Sequence, residues 1–158
     1  MTPAIQALKR ARVEYEIRRY RHDPRNDHAF GLEAASVLGQ DPHEVFKTLI
    51  AVTERGELVV AVVPVSGQLD LKALAHAVGC RHCEMAPPAT AERSSGYVVG
   101  GISPLGQKKA LPTCIDASAQ SLPLVRVSAG RRGLQVSLAP QDLARLTGAR
   151  FVEIARPD

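Results

Sequence analysis

The first half of the chain contains Thr48-Leu49-Ile50-Ala51-Val52-Thr53-Glu54-Arg55-Gly56-Glu57-Leu58-Val59-Val60-Ala61-Val62-Val63, two apolar runs separated by a short polar segment. Both runs are rich in β-branched residues, which pack well on a pleated surface. The segment Glu54-Arg55-Gly56 supplies the polar residues and the glycine of a tight connection. This stretch therefore predicts a β-hairpin.

Around this hairpin, helical and strand patterns follow one another without regular alternation. Helices are predicted at residues 3–12, 31–38, 41–46, 71–78, 88–93 and 140–146, and further strands at 13–20, 97–99, 113–116, 124–128, 134–138 and 151–155 and near Cys83. Residues 21–28 are polar and contain Pro24, which predicts a loop. Because strands outnumber helices and come partly as hairpins, the pattern predicts one mixed-sheet α+β domain, with curling into a barrel as a further expectation.

The composition is that of one small globular domain. With 158 residues, the chain can bury a core without disulfides or a metal. It has no Trp and only 4% aromatic residues, which argues against a broad platform for stacking bases. The net charge of +4 and the pI of about 9.2 favour an anionic partner.

The N-terminal residues and the cysteines bear on location. Residues 1–11 alternate apolar and charged side chains, unlike a signal peptide, and no run is long enough to span a membrane. Three cysteines without an export signal point to a reducing compartment. These observations predict a cytoplasmic protein.

A glycine-rich loop is the best place in the sequence to look for a binding site. It is Gly100-Gly101-Ile102-Ser103-Pro104, followed shortly by Lys108-Lys109. Gly100 and Gly101 permit a positive φ and let a ligand approach bare N–H groups, which can hold an anion or an oxyanion. Gln107 stands where a P-loop needs its lysine, so the P-loop interpretation is rejected. The alternative is a plain surface turn.

Lys47 is a second candidate, at the start of an apolar strand. Strand alternation puts it on the same face as Leu49 and Ala51. Its ammonium group then either reaches solvent along the strand surface or is held partly desolvated beside a ligand. The residues around it in the sequence leave both interpretations open.

A CxxC pair, Cys80-Arg81-His82-Cys83, is typical of metal and redox sites. His76 lies four residues earlier, but Cys114 alone does not supply the second ligand pair of a structural zinc site. A thioredoxin-like motif has a strand before it and a helix after it, whereas a predicted helix precedes this pair. The chain also lacks the G-x-S-x-G nucleophile elbow.

Several segments, in order along the chain, resemble the YbaK/EbsC family of aminoacyl-tRNA editing proteins. The matching segments are residues 1–4, Tyr20-Arg21-His22-Asp23-Pro24, Phe30-Gly31, Val45-Phe46-Lys47-Thr48-Leu49, residues 63–72, Glu84-Met85-Ala86, residues 93–109 and Leu111-Pro112-Thr113. Such a long ordered match is more specific than any single motif. It implies the family fold, a compact mixed β-barrel surrounded by helices.

The resemblance also implies the residues of the site. Lys47 corresponds to the functional lysine of the family, and Gly100-Gly101-Ile102-Ser103-Pro104 corresponds to its active-site loop. In that loop, N–H groups around Gly100 and Gly101 would face the developing oxyanion. Tyr20, Phe30 and Ser128 correspond to pocket residues.

The implied activity is removal of cysteine from mischarged Cys-tRNA(Pro), acting in trans beside prolyl-tRNA synthetase. In the family mechanism the thiol of the substrate cysteine attacks its own ester carbonyl and releases a thiolactone. No metal or cofactor is then required, and the expected partners are the acceptor end of the tRNA and the synthetase. Neither DNA nor a membrane is expected to bind.

Two departures from the family pattern leave alternatives open. Gln135 stands where the best-known members have an aspartate, and Cys80 and Cys83 replace other residues. A shifted amino-acid preference, for example toward alanine, is one alternative. A noncatalytic module that binds charged tRNA or the synthetase is a second, and a metal or thiol sensor at the cysteine pair is a third.

Overall fold

The computed structural model describes residues 1–26 and 29–158, so the end of the predicted loop, residues 27 and 28, lies outside the described residues. The helices are α1 (Pro3–Ala11), α2 (Phe30–Leu38), α3 (Leu71–Val78), α4 (Pro88–Ser95) and α5 (Pro140–Thr147). The strands are β1 (Tyr15–Arg19), β2 (Phe46–Thr53), β3 (Leu58–Pro64), β4 (Gly67–Leu69), β5 (Cys83–Met85), β6 (Thr113–Asp116), β7 (Val125–Arg131), β8 (Leu134–Leu138), β9 (Arg150–Val152) and β10 (Ala155–Pro157). A short 3-10 helix, Ala117–Ser121, follows β6.

The predicted hairpin is confirmed and lies within a five-stranded sheet of order β5-β2-β3-β6-β9. β2 and β3 are antiparallel, whereas β6 runs parallel to both β3 and β9. Both faces of β3 are covered, since Val60 and Val62 belong to one core cluster and Val59, Ala61 and Val63 belong to another. A strand covered on both faces has no solvent side for polar residues, which explains the unbroken apolar run.

A second, three-stranded antiparallel sheet of order β1-β8-β7 shares a core with the first. Val127 and Val136 of this sheet pack in the same cluster as Val60 and Val62. On the other face of the large sheet, Leu74 of α3 belongs to the second cluster. β4 and β10 form a separate two-stranded sheet. The predicted α+β class with mixed sheets is confirmed.

The expected barrel is wrong, because within the described residues no sheet closes on itself. The two larger sheets meet at a single parallel bridge between Val45 and Arg126, where the Arg126 N–H also donates to the Glu44 carbonyl oxygen at 3.0 Å. Closure requires a continuous ladder between β7 and β2. The two strands separate after this bridge instead, and the gap between them becomes the cleft described below.

Three local predictions are also wrong. Residues 41–46 form a turn rather than a helix, because Val45 already takes part in the bridge and β2 begins at Phe46. Residues 97–99 do not form a strand, since the chain turns there and the Gly101 N–H donates to the Val98 carbonyl oxygen at 2.9 Å. The predicted strand 151–155 is two strands, β9 and β10, which pair in different sheets.

Asp116 ties the C-terminal strands to the core, and we expect Asp116→Ala to lower the free energy of unfolding by about 3 kcal/mol. One carboxylate oxygen of Asp116 accepts the N–H groups of Ile154 at 3.0 Å and Ala155 at 2.9 Å, and the other accepts the Ser118 hydroxyl at 2.6 Å. The variant leaves these donors unpaired around a side chain that is only 6% exposed. Urea unfolding measures the loss.

The control for this prediction is Glu57→Ala, which removes an exposed carboxylate whose one ion-pair partner among the described residues is the exposed Arg55. Surface pairs of this kind contribute about 0–1 kcal/mol, so the control unfolds close to the wild type. Equal stability of Asp116→Ala and the control would contradict the assigned role of Asp116.

Candidate functional site

An open cleft of about 330 Å³ lies between β2, the β7–β8 hairpin, α2 and the glycine-rich loop. Its lining is mostly apolar with a few polar groups, the composition expected of a site for a small ligand. The lining residues are Tyr20, Phe30, Gly31, Ala34, Val45, Phe46, Lys47, Thr48, Leu49, Ile50, Met85, Ala86, Pro88, Ala91, Val99, Gly100, Ile102, Val127, Ser128, Leu134 and Gln135.

The cleft brings together residues that lie far apart in the sequence. The predicted site residues that line it are Tyr20, Phe30, Lys47, Gly100, Ile102 and Ser128. Met85 and Ala86 enter the wall because β5 pairs with β2 at its edge. The sheet pairing therefore builds one site from the two halves of the chain.

Gly101, Ser103 and Pro104 are not in the lining and lie buried behind it. A Cβ on Gly101 would lie 2.6 Å from the Cα of Arg131, so the loop packs directly on the β7–β8 hairpin at this position. The Ser103 hydroxyl accepts the Leu105 N–H at 3.2 Å within the loop. These three residues support the loop from beneath, and Gly100 and Ile102 face the cleft.

The N–H groups of the loop are not equivalent. The Gly101 N–H donates a hydrogen bond to the Val98 carbonyl oxygen and is therefore not available to a ligand. Among the described residues, none accepts a hydrogen bond from the N–H of Gly100 or of Ile102. An unpaired N–H at a ligand cleft is a donor that a ligand oxygen can satisfy.

Gly100 carries a positive φ of +90° and lies against the side chains that form the rim of the cleft. A Cβ at this position would lie 2.8 Å from ring carbons of Phe30 and 2.8 Å from Nε of Arg132. The same Nε donates to the Val99 carbonyl oxygen at 2.9 Å, and the guanidinium lies 5.0 Å from the centre of the Phe30 ring. The rim therefore combines an aromatic face with a cation.

Lys47 is half-buried at the start of β2, and its Nζ donates to the Gly67 carbonyl oxygen at 3.1 Å. Within the described residues it forms no ion pair with a carboxylate. Burial lowers the pKa of Lys47, and the charge of Asp158 only partly opposes this effect. An ammonium group has three donor protons, so two remain for a ligand after the bond to Gly67.

A buried pair behind the rim holds the segment after β1 against α2. Glu33 accepts hydrogen bonds from Nδ1 of His22 at 2.7 Å and from the Asp23 N–H at 3.0 Å. Burial raises the pKa of Glu33, but these hydrogen bonds outweigh it and the net shift is downward. The His22 ring in turn lies 5.6 Å from the Phe30 ring, centre to centre. This packing keeps Phe30 in place at the cleft.

Gln135, the departure from the family pattern, forms an amide pair with Gln40. Each side chain donates its Nε2 to the Oε1 of the other at 2.8 Å, and Gln135 is only 2% exposed. An aspartate at this position would have no proton to give to Gln40. The pair is neutral, so this wall of the cleft carries no negative charge to offset Lys47.

Thr48 was missed by the sequence-based prediction of the site. It is only 9% exposed, it lines the cleft, and its hydroxyl has no hydrogen-bond partner among the described residues. A buried hydroxyl without a partner costs free energy unless a ligand satisfies it. The available signal was a polar side chain inside an otherwise apolar run next to Lys47.

We expect Thr48→Val to leave the free energy of unfolding unchanged or higher, because the variant keeps the shape and removes an unsatisfied hydroxyl. Because Thr48 lines the cleft, turnover of a ligand bound there should fall about tenfold, the equivalent of one lost hydrogen bond of roughly 1.4 kcal/mol. Urea unfolding and steady-state kinetics measure the two effects. Thr113→Val, at a threonine outside the cleft, is the matched control and should keep the wild-type turnover rate. Equal turnover rates in the two variants would contradict the role of Thr48.

Within residues 1–26 and 29–158, no three His, Cys, Asp or Glu side chains are grouped so that they could hold a metal ion. No helix there is both long enough and apolar enough to cross a membrane.

The chain is similar to proteins of aminoacyl-tRNA editing. Residues 29–146 match the model of the aminoacyl-tRNA editing domain. Over 153 residues the chain is 39% identical to a protein of Enterococcus faecalis named "Putative Cys-tRNA(Pro)/Cys-tRNA(Cys) deacylase EbsC", with 97% of this chain and 92% of that protein covered.

Crystal structures share the fold. One is described as "a putative trans-editing enzyme for prolyl tRNA synthetase". It aligns with a TM-score of 0.81 at 24% sequence identity, and the alignment covers 98% of this chain and 95% of that protein's chain. A second, a hypothetical protein, aligns with a TM-score of 0.86 at 21% sequence identity, and the alignment covers 98% of this chain and 99% of that protein's chain. The family match spans most of the chain and agrees with the resemblance noted from the sequence. The chain belongs to the aminoacyl-tRNA editing domain family.

Proposed function

We propose that this protein is a trans-editing deacylase that removes cysteine from mischarged Cys-tRNA(Pro). The observation that carries the proposal is the cleft itself, which holds, among the described residues, an ammonium group without a carboxylate partner and unpaired N–H donors within a mostly apolar wall. The 39% identity to EbsC supports the substrate class. The prolyl-tRNA synthetase is the proposed partner, because a trans-editing enzyme acts on the mischarged tRNA that the synthetase produces.

The cleft supports a reaction in which the substrate supplies its own nucleophile. Among the described residues that line it there is no Cys nucleophile and no His, Asp or Glu that could activate the hydroxyl of Ser128 or Thr48. The cysteine thiol of the substrate instead attacks the ester carbonyl carbon. A C–S bond forms, the C–O bond to the ribose breaks, and the thiol proton passes to the departing ribose hydroxyl. Water later opens the thiolactone.

In this reaction the protein orients the two reacting groups and stabilises charge. A well-oriented intramolecular attack can account for about 7–11 kcal/mol of the barrier. The developing oxyanion is placed against the unpaired N–H groups of Gly100 and Ile102, and Lys47 against the carbonyl or the adjacent terminal adenosine and its phosphate. Both roles need donors with no other acceptor: the N–H groups of Gly100 and Ile102 have none among the described residues, and Lys47 keeps two protons beyond its bond to Gly67.

The rim is assigned to the terminal adenosine of the tRNA. Phe30 lines the cleft with the Arg132 guanidinium over its ring, and Arg132, which is exposed, offers a cation for a phosphate. Tyr20 and Ser128 complete the wall around the aminoacyl group. A small apolar pocket cannot by itself reject every small side chain, so the requirement for a thiol adds selectivity.

The test compares tRNA(Pro) charged with cysteine, with 2-aminobutyrate, with alanine and with proline. 2-Aminobutyrate has nearly the size of cysteine but lacks the thiol, so it isolates the role of the nucleophile. Loss of each ester is followed over time with a catalytic amount of the protein. We expect rapid loss of cysteine and retention of the other three amino acids.

Each other outcome identifies a different function. Comparable loss of cysteine and 2-aminobutyrate would show hydrolysis by water and overturn the thiol mechanism. Selective loss of alanine would show a deacylase with a shifted preference. No loss of any ester, together with binding of the charged tRNA, would identify a noncatalytic module.

A further inference from the structure

Cys80 and Cys83 lie together outside the cleft, with Cys80 on the loop between α3 and β5 and Cys83 at the start of β5. Their Sγ atoms are 3.4 Å apart, and the Cys80 thiol also lies 3.6 Å from the His82 carbonyl oxygen. The third cysteine, Cys114, is buried in β6. The deacylation chemistry proposed above uses none of these thiols.

The two residues between the cysteines, Arg81 and His82, are held by the turn of the β2–β3 hairpin. The carboxylate of Glu54 accepts the N–H groups of Arg81 at 3.1 Å and His82 at 3.2 Å, and the Glu54 N–H donates to the His82 carbonyl oxygen at 3.0 Å. The two thiols are thus held side by side before any reaction. A disulfide bond is about 2.05 Å long, so closure requires the sulfur atoms to approach by only about 1.4 Å.

The two thiols differ in exposure in the way that a disulfide exchange reaction requires. Cys80 is partly exposed, whereas Cys83 is only 3% exposed. A solvent oxidant therefore meets Cys80 first. Burial, and then the neighbouring Cys80 thiol, raise the pKa of Cys83 to about 12. Conversion of Cys80 to a neutral mixed disulfide removes the second of these effects, which favours reaction of Cys83 at that stage.

A metal site fits this pair less well. Two thiolates are half of the tetrahedral set that a structural zinc ion needs. Over residues 1–26 and 29–158, no third His, Cys, Asp or Glu side chain completes a metal-binding group with them.

We propose that Cys80 and Cys83 form a redox-active dithiol that a low-molecular-weight disulfide, such as oxidised glutathione, converts to an intramolecular disulfide. The Cys80 thiolate attacks one sulfur of the small disulfide, which forms a mixed disulfide and releases one small thiolate. Cys83 then loses its proton and attacks Cys80 Sγ, which forms the Cys80–Cys83 bond and releases the second small thiolate. The protein loses two electrons and two protons, and the small disulfide becomes two thiols.

The experiment uses the reduced full chain in buffers with increasing ratios of oxidised to reduced glutathione. Free thiols are trapped by alkylation and the intact mass and peptide map are recorded. We expect a species that has lost two hydrogens, takes one alkyl group at Cys114, and links Cys80 to Cys83. Dithiothreitol should return it to the fully alkylated form.

Serine variants separate this dithiol from ordinary oxidation of a surface cysteine. Cys83→Ser should accumulate a glutathione adduct at Cys80, Cys80→Ser should stay reduced, and Cys114→Ser should still form the internal disulfide. If Cys83→Ser fails to fold, the peptide map of the oxidised wild type, which shows whether Cys80 is linked to Cys83, decides the test. A wild type that stops at a glutathione adduct, stays reduced in oxidised glutathione, or links Cys83 to Cys114 would overturn the proposal.

Discussion

Lys47→Ala is expected to lower the rate of Cys-tRNA(Pro) deacylation by about 10²–10³-fold, the loss found when one donor to a developing oxyanion is removed. Lys47 has the only ammonium group in the lining of the cleft as described, and among the described residues its ammonium group makes one hydrogen bond, to the Gly67 carbonyl oxygen. The N–H donors assigned to the oxyanion lie on a different element, the glycine-rich loop. Alanine removes the charge without adding bulk, so the fold should survive.

Lys72→Ala is the matched control for this prediction, because Lys72 is an exposed lysine on α3. It removes the same charge from the protein and should deacylate at the wild-type rate. Circular dichroism and urea unfolding confirm that both variants fold. Wild-type turnover in a folded Lys47→Ala protein would remove Lys47 from the mechanism, and an equal loss in Lys72→Ala would assign the effect to net charge.

The split between kcat and KM tells how Lys47 acts. Contact with the reacting carbonyl that strengthens in the transition state should lower kcat with little change in KM. Contact with the terminal phosphate in the ground state should mainly raise KM. Both results keep Lys47 in the site, and they assign it to different atoms of the substrate.

Gly100→Ala is expected to lower deacylation by about 100-fold, because the reacting groups lose their alignment. The new Cβ would lie 2.8 Å from the Phe30 ring and from Nε of Arg132, so the loop or the rim must shift. The residue also has φ +90°, which a side chain rarely adopts. The shift would displace the Gly100 N–H assigned to the oxyanion.

Gly148→Ala separates the backbone strain from the steric clash. Gly148 has φ +67° at the end of α5, and a Cβ there meets nothing within 4 Å. This control should lose about 1 kcal/mol of stability and keep its activity. Similar activity losses in the two folded variants would contradict the role of Gly100 at the cleft, since Gly148 lies outside it.

Much of the site was predictable because the sequence pattern marks local features. The β-branched runs around Gly56 predicted the hairpin, and the glycine pair predicted a loop open to ligands. The resemblance to the family then selected Lys47, Tyr20 and Phe30 from many similar residues. The sequence left open whether the Lys47 ammonium reaches solvent or lies beside a ligand; the structure places it half-buried in the lining of the cleft, with a hydrogen bond to the Gly67 carbonyl oxygen.

Other features depend on contacts between distant parts of the chain. The helix predicted at residues 41–46 has good capping residues, but the bridge of Val45 with Arg126 fixes an extended backbone there. Gly101 looks equivalent to Gly100 in sequence, yet its N–H is taken by Val98 and it packs on Arg131. Local patterns carry no information on such partners.

The sequence by itself determined the α+β class, the central hairpin, the glycine-rich loop and the family, because each of these is encoded by the period, turn residues or order of neighbouring residues. Only the tertiary structure decided that the sheets part after one bridge instead of closing a barrel, and that Thr48 and the Gln40–Gln135 pair line or back the resulting cleft. Sheet closure and the pairing of buried polar groups depend on which side chains contact one another across the core. Such contacts connect residues that are distant in the sequence, such as Gln40 and Gln135.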